Sequence, residues 1–439
     1  MARYVRLITA LILFLLIFTS GGNITPIEAQ AAPAKTILVV VNDSASNKFG
    51  RYLGEILIAE GLSSYDVTTV TSASASVLAQ YKVVVLAQTP LTSAQATAFT
   101  TYVNGGGYLI AMRPDSQITS LFGLTGSATT QTNGYLKMSG SGPSQGLSTE
   151  TLQIHGTVDK YTTGAATTIA QLYSNATTST TFPAVVQSTS GHGTAFLYDL
   201  PTNIIYTRQG NPNNGNVDSD GDGILRTIDL FQTSGGGAPW IDRDKMPIPQ
   251  ADQQQRLLAR LIQQAITNYQ PMPQLWYFPG TTKTVLISTS DAHANPTNWY
   301  QQVVDIMNSH NAKDTFYLSI GGGLTDQSVQ TWRTQGHEFG IHPYANKPDP
   351  YPPFNITNLN QGFDVYTDWF GMTFSSPVSR TVRIHQVAWS GWTDAADIAV
   401  NHGMALDANF YNWGPWLQKP DGSWAHGYVT GSGQPMKFI

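Results

Sequence analysis

The stretch from Val285 to Pro296 reads VLISTSDAHANP, an apolar run that delivers Asp291 and His293 one residue apart and then turns at a proline. A strand ending this way can hand acid and metal-binding groups to a pocket. Three later segments repeat the pattern: His337 and His342 in GHEFGIHPY, Arg383 and His385 in RIHQ, and Asp407 and Asn409 in LDANFY. Histidine is a ligand for borderline cations such as zinc, aspartate serves as a base or ligand, and arginine orients a carboxylate. Spaced as successive strand ends, the four segments converge if their strands lie parallel. His337 precedes Glu338 at a helix-to-strand turn, a structural position, whereas His342 ends EFGIH before a proline. His385 alternates with Arg383, so both face one side of their strand, toward a pocket or a polar interior. Trp389, Trp392, Trp413, Trp416 and Trp424 crowd the same region. Some belong to a core, and Trp389 and Trp392 are candidates to stack on a sugar face beside His385.

The elements that must position these groups form a strand-helix alternation from about Gln274. Strands are expected at Thr284–Thr289, Asp314–Ile320, Glu338–His342, Thr381–Val387 and Met404–Tyr411, with helices at Asn298–Ser309 and Asp326–Gln335. That repetition predicts a (β/α) barrel with its chemistry at the C-terminal strand ends. The preceding half predicts a doubly wound α/β domain of flavodoxin-like type. Its signals are apolar runs at Lys35–Val41, Val67–Val70, Val83–Ala87 and Tyr108–Met112, with helices at Lys48–Gly61 and Ser93–Val103. From about 125 to 194 the texture becomes Thr, Ser and Gly with short alternating segments, a β-rich insertion. Gly193–Leu200 then returns as a buried strand. A long polar loop over 208–223 follows, and ADQQQRLLARLIQQAITNY predicts a helix closed by Pro271 and Pro273. The expected domains are therefore 35–270 and 274–439.

Composition narrows the function. The chain has 439 residues, a formal net charge of -5, and only 12% charged residues. Such a balance excludes a nucleic-acid binder and favours a neutral substrate. Arg3 and Arg6 precede the apolar run Leu7–Phe18, and an A-x-A pattern ends at Ala31, so residues 1–31 read as a cleaved export signal or, if cleavage fails, as a membrane tether. Once it is removed, no stable membrane span is expected. With 0 cysteines, disulfides, thiolate metal sites and cysteine nucleophiles are excluded. The sequence stops in GSGQPMKFI, inside an apolar strand-like run, so the barrel is expected to be incomplete at its C-terminus.

A separate acidic loop, DSDGDGILRTID, sets Asp218, Asp220 and Asp222 at alternate positions, Gly223 sixth and Asp229 twelfth in a calcium-loop template. It reads as a structural calcium site or as a solvated acidic turn.

The motifs of the second half resemble the polysaccharide deacetylase, or NodB-homology, family of carbohydrate esterases. TSDAH is similar to its first motif, GHEFGIHPY to its second, RIHQ to its third and LDANFY to its fourth. The run VRIHQVAWSGWTD with GMALDANFYNWGPW resembles the secreted galactosaminogalactan deacetylase-like subgroup. The first half resembles a class I glutamine-amidotransferase-like domain, which without cysteine is no glutaminase.

The resemblance implies a barrel of NodB type and a divalent metal, often zinc, that activates water against an N-acetylated polysaccharide. It implies Asp291 as base, Arg383 orienting it and Asp407 pairing with that arginine; the expected ligands are His342 and Asp291, with His293 as this chain's candidate replacement for the family's second Asp. Ala292 occupies the place of the family's metal-binding second Asp, and Asn346 that of a second His. Three readings therefore remain: a secreted deacetylase of an exopolysaccharide or cell-wall glycan, a carbohydrate-binding relative without turnover, or another hydrolase such as a different esterase or a glycosidase.

Overall fold

The computed structural model describes residues 35–232, 239–267, 270–343, 355–410, 417–419 and 421–439. The expected export signal over residues 1–31, Asn346, Trp413 and Trp416 lie outside them.

From Lys35 to Ile439 the chain forms one compact unit. Its centre is a nine-stranded sheet in the order β2-β1-β3-β4-β9-β8-β7-β5-β6. The parallel part comprises β1 (Lys35–Val41), β2 (Tyr65–Thr69), β3 (Tyr81–Leu86), β4 (Tyr108–Met112) and β9 (Gly193–Phe196). Its inner strands are apolar on both faces, as a covered parallel sheet requires: every residue of β4 is buried. Helices α1 (Tyr52–Ala59), α2 (Ala75–Leu78) and α3 (Ser93–Asn104) fall between these strands. α3 starts where the sequence signals it, because Thr92 and Gln95 form a capping box.

The β-rich segment does not stand apart. Strands β5 (Leu124–Met138), β6 (Thr151–Thr163), β7 (Ala166–Tyr173) and β8 (Ser179–Ser188) extend the same sheet antiparallel, joined through the β8–β9 pairing. Two long helices complete this half, α4 (Leu200–Gln209), capped by Asp199, and α5 (Gln250–Thr267).

In the second half β10 (Thr289–Ala292), β11 (Thr315–Leu318) and β12 (Glu338–Ile341) pair parallel in sequential order. α6 (Thr297–Ser309) and α7 (Asp326–Thr334) connect them. Past α8 (Ile356–Thr373), β13 (Thr381–Val382) pairs parallel with β14 (Leu406–Asp407), and α9 (Asp394–Asn401) lies between them in sequence. The Ser379 N–H donates to the Phe339 carbonyl at 2.8 Å, which sets the β13 arm beside β12. The architecture is thus mixed α/β with a large central sheet. Among the described residues the second-half strands form sheets of three and two strands rather than a closed barrel.

The strand expected at Thr284–Thr289 is displaced. Register sets Thr289 opposite Thr315, the first residue of β11, so the preceding residues run past the end of their neighbour. Leu286 is 93% and Ile287 74% exposed as a result. The strands expected at Thr381–Val387 and Met404–Tyr411 shorten to two residues each.

Two buried clusters hold the unit together. One joins the large sheet to α1, α3, α4 and α5. The other joins β10–β12 to α6–α9 and also takes in Ile228, Leu230, Phe231, Ile241 and Met246 from the loop between α4 and α5. The C-terminal segment packs back on the first cluster: the Ala251 N–H donates to the Gly431 carbonyl at 2.7 Å, and Tyr52 Oη–H to the Lys437 carbonyl at 3.1 Å.

Candidate metal centre

Three histidines converge at the C-terminal ends of the second-half strands. One ring nitrogen from each of His293, His342 and His385 lies within 4.8 Å of the other two. His293 follows β10 on an exposed turn, and its carbonyl accepts from Tyr300 Oη–H at 2.9 Å. His342 follows β12 and is 1% exposed. His385 opens a 3-10 turn after β13, fixed by its N–H donating to the Pro343 carbonyl at 3.0 Å. That turn holds Gln386 at φ 56° and Val387 at φ 50°, a left-handed conformation unusual for either residue.

The imidazoles suit a cation. His342 Nδ1 lies 2.7 Å from the Arg383 carbonyl, which can only accept, so Nδ1 carries the proton and Nε2 presents its lone pair. His385 Nδ1 stands 3.2 Å from that Nε2. Two nitrogens bound about 2.0–2.1 Å from one tetrahedral cation are about 3.3 Å apart. Burial pushes both rings down to about 3, keeping them neutral at pH 7 and able to ligate. Neutral imidazoles favour zinc and its transition-metal neighbours over hard cations.

Asp291 sits on β10 beside this cluster but belongs to a different group. Its Oδ1 accepts from Arg383 Nη1 at 3.2 Å. Arg383 Nη2 donates to Thr289 Oγ1 at 2.9 Å and Nε to the Ala408 carbonyl at 3.2 Å, and the guanidinium lies 5.7 Å over the Tyr317 ring. The expected Asp291–Arg383 contact is present; Asp291 itself is not in the three-nitrogen cluster.

Asp407 is held by its neighbour. Asn409 donates its backbone N–H to Oδ1 at 2.8 Å and its amide to Oδ2 at 2.6 Å. Burial raises the Asp407 carboxyl to about 7, partly opposed by these bonds and by the Arg383 charge. Asn409 Oδ1 in turn accepts from the Ile384 N–H at 2.8 Å, one residue before His385. The fully buried Asn409 thus ties Asp407 to the histidine-bearing turn.

His385, expected to meet substrate, lies among the candidate ligands, because its strand ends at Val382 and the following turn redirects its ring. Trp389 is placed in the core, 1% exposed, with Phe410 and Phe438 at 4.9 and 5.6 Å between ring centroids, so it presents no open face to a sugar. Trp392 is half-buried and packs against Phe49 and Tyr206, with its indole N–H donating to the Gln209 carbonyl at 3.2 Å. His337 is buried away from the site; its Nδ1 accepts from the Asp314 N–H at 3.2 Å. Sequence reasoning did not single out Thr289 or Tyr317. Thr289 was readable, since it stands two residues before Asp291 and so shares its strand face.

The acidic loop brings Asp218, Asp220 and Asp222 together. Asp229 is not with them: its two oxygens accept the N–H groups of Ser219 and Arg226 at 2.9 and 2.7 Å, and burial raises its carboxyl to about 6. The template's last ligand position is therefore used to hold the chain, and Arg226 also pairs with Asp222.

The same loop braces the turn bearing His385. Arg226 forms an antiparallel bridge with Ala388, the Trp389 N–H donates to the Leu225 carbonyl at 2.9 Å, and Thr227 Oγ1–H donates to the Asn409 carbonyl at 3.2 Å. Gly215 receives the Gly391 N–H at 2.7 Å and lies so close that a Cβ there would meet the Trp392 nitrogen at 2.7 Å.

No family model matches the chain, and no curated protein matches it. A β-galactosidase from Rahnella sp. R3 is similar over 38% of this chain and 28% of its own, at 14% identity and a TM-score of 0.30. The carbohydrate deacetylase Agd3 is similar over 88% of this chain and 67% of its own, at 12% identity and a TM-score of 0.35. A mutant CE4-family pseudoenzyme with restored enzymatic activity is similar over 28% of this chain and 44% of its own, at 14% identity and a TM-score of 0.22. The chain thus spans under a third of the galactosidase. At TM-scores of this size no functional conclusion transfers, and the chemistry has to come from the site.

Proposed function

We propose that this chain is an exported, metal-dependent hydrolase that removes N-acetyl groups from an exopolysaccharide or cell-wall glycan. The observation that carries the reading is the convergence of His293, His342 and His385 beside an arginine-held aspartate. Ala292 provides no carboxylate ligand, and the third imidazole, from His385, supplies the donor in its place. In this reading the three histidines hold a divalent cation, zinc first among the candidates, which when bound supplies Lewis acidity and a water of lowered pKa.

The chain's own groups do the rest. Asp291 accepts the water proton as the water oxygen bonds to the acetamide carbonyl carbon. The carbon–nitrogen bond then breaks, the nitrogen takes that proton and leaves as the amine, and the acetic acid that remains gives up its proton to solvent as acetate. Arg383 fixes Asp291, and Thr289 and Tyr317 fix Arg383. Asp407 and Asn409 hold the turn bearing His385 rather than touching substrate. Residues 1–31 direct export in this account.

A second reading is favoured by Ala292, which is 4% exposed and packed in the second core, so that the chain binds glycan without cleaving it. Acetate release from N-acetylated oligosaccharides by zinc-loaded full-length protein separates the two. Release abolished by a chelator and restored by zinc supports the hydrolase. Glycan binding with zinc retained and no acetate released overturns it in favour of the binding reading.

A further inference from the structure

A second crevice opens at the C-terminal ends of β1, β3 and β4, on elements that carry none of the three imidazoles. It measures about 260 Å³ and is lined by Ser46, Asn47, Gln88, Thr89, Arg113 and Asp159, among others. In the sheet, β2 lies on one side of β1 and β3 on the other. The chain therefore reverses direction across the sheet at this point, which is where open parallel sheets bind ligands.

The crevice is built rather than incidental. Arg113 follows β4 at φ 42°, a left-handed conformation a non-glycine residue adopts only when its surroundings impose it. Its N–H donates to the Phe196 carbonyl at 2.7 Å, and its Nη2 donates to Asp159 Oδ1 at 2.9 Å. Its buried Nε has no acceptor among the described residues. Asn47 is set by its Nδ2, which donates to Asp199 Oδ2 at 2.9 Å and to Gln88 Oε1 at 3.3 Å.

The walls carry one cation, Arg113, and two carboxylates, Asp115 and Asp159. Arg113 is answered by Asp159, and the Asp115 carboxylate accepts the N–H groups of Leu91 and Gln117 at 3.0 and 2.9 Å. What lines the space is a set of amide and hydroxyl groups with one guanidinium and two carboxylates, and no aromatic residue among the described lining. The volume lies below the roughly 300 Å³ at which drug-sized sites begin. A lining with more carboxylates than cations disfavours an anion, its polarity disfavours an apolar guest, and its many acceptors suit the hydroxyl donors of a polyol.

We propose that this crevice binds a single neutral, polyhydroxylated unit, one hexose residue of a glycan, independently of the histidine centre. The test is isothermal titration of the full chain with glucose, galactose and N-acetylgalactosamine, and separately with inorganic phosphate. Ser46 is exposed, so Ser46→Trp fills the crevice without disturbing a core, and Gln88→Ala removes one polar contact. Millimolar hexose binding weakened about tenfold or more by each variant, and unchanged in His385→Ala, is the expected result. Three results overturn the proposal: no hexose binding, hexose binding untouched by Ser46→Trp, or phosphate binding in its place. His385→Ala makes the outcome independent of whether the deacetylase reading holds.

Discussion

At the residue scale, the account depends on Asp291 acting as a base that is not a ligand. Asp291→Asn keeps the size and the Arg383 contact but removes the proton acceptor, so acetate release should fall about 10²- to 10⁴-fold. Bound metal, measured by elemental analysis, should be unchanged, since Asp291 stands outside the imidazole cluster. A parallel loss of metal would return Asp291 to the ligand set.

Another residue-scale prediction concerns His155, which is 6% exposed, stacked on Trp240 at 4.4 Å, and pushed down to about 3 by burial. The unfolded chain's histidine titrates near 6.5, so between these values the unfolded state binds the extra proton. Stability is therefore lost as pH falls below about 6.5, by up to about 1.4 kcal/mol per pH unit. His155→Phe should flatten the slope of urea-unfolding free energy between pH 6 and 4, taking that range as roughly the titration window. An unchanged slope would mean the ring is not held neutral.

At the element scale, the acidic loop matters for what it braces. Thr227→Val removes the bond to the Asn409 carbonyl, and Gly215→Ala forces a Cβ against the Trp392 backbone. Both should shift the turn bearing His385, and supporting interactions of this kind are worth about 10–100-fold in metal affinity. Competition with a fluorescent chelator would report the loss, with circular dichroism spectra matching the wild type. Wild-type affinity in both variants would show that the turn holds itself. A further expectation concerns the edge at β10: Leu286→Lys should change stability by less than about 0.5 kcal/mol while reducing aggregation on light scattering.

The same scale shows what could be read in advance. β1, β4 and α3 were legible because continuous apolar runs and a Thr-Gln cap act locally. α8 was not anticipated, although Leu359, Phe363, Tyr366 and Phe370 repeat at helical spacing, all buried. α4 was hidden by Pro201, which sits harmlessly in the first helical turn. His385 was visible as a histidine, but its partners were not. Its ring direction depends on a left-handed turn held by Pro343, Asn409 and the loop at 225–227, contacts between residues far apart in sequence. Trp389 likewise looked available until Phe410 and Phe438 closed over it.

At the scale of the whole molecule, the two buried clusters are interleaved in sequence. Ile228–Met246 joins the second cluster, and the segment at 431–437 returns to the first. Expectations of one domain following another could not include such exchanges, because they rest on contacts and not on local pattern. They also tie the half that carries the large sheet to the histidine cluster, since the loop leaving α4 carries the residues that brace the His385 turn. The central claim is that three imidazoles from three strand ends make one metal centre, and metal stoichiometry tests it most directly. Full-length protein exchanged against zinc and freed of excess should retain one ion per chain, and His342→Ala and His385→Ala should each lose it while remaining folded. Retention unaffected by either substitution, or no zinc retained by the wild type, would contradict the account.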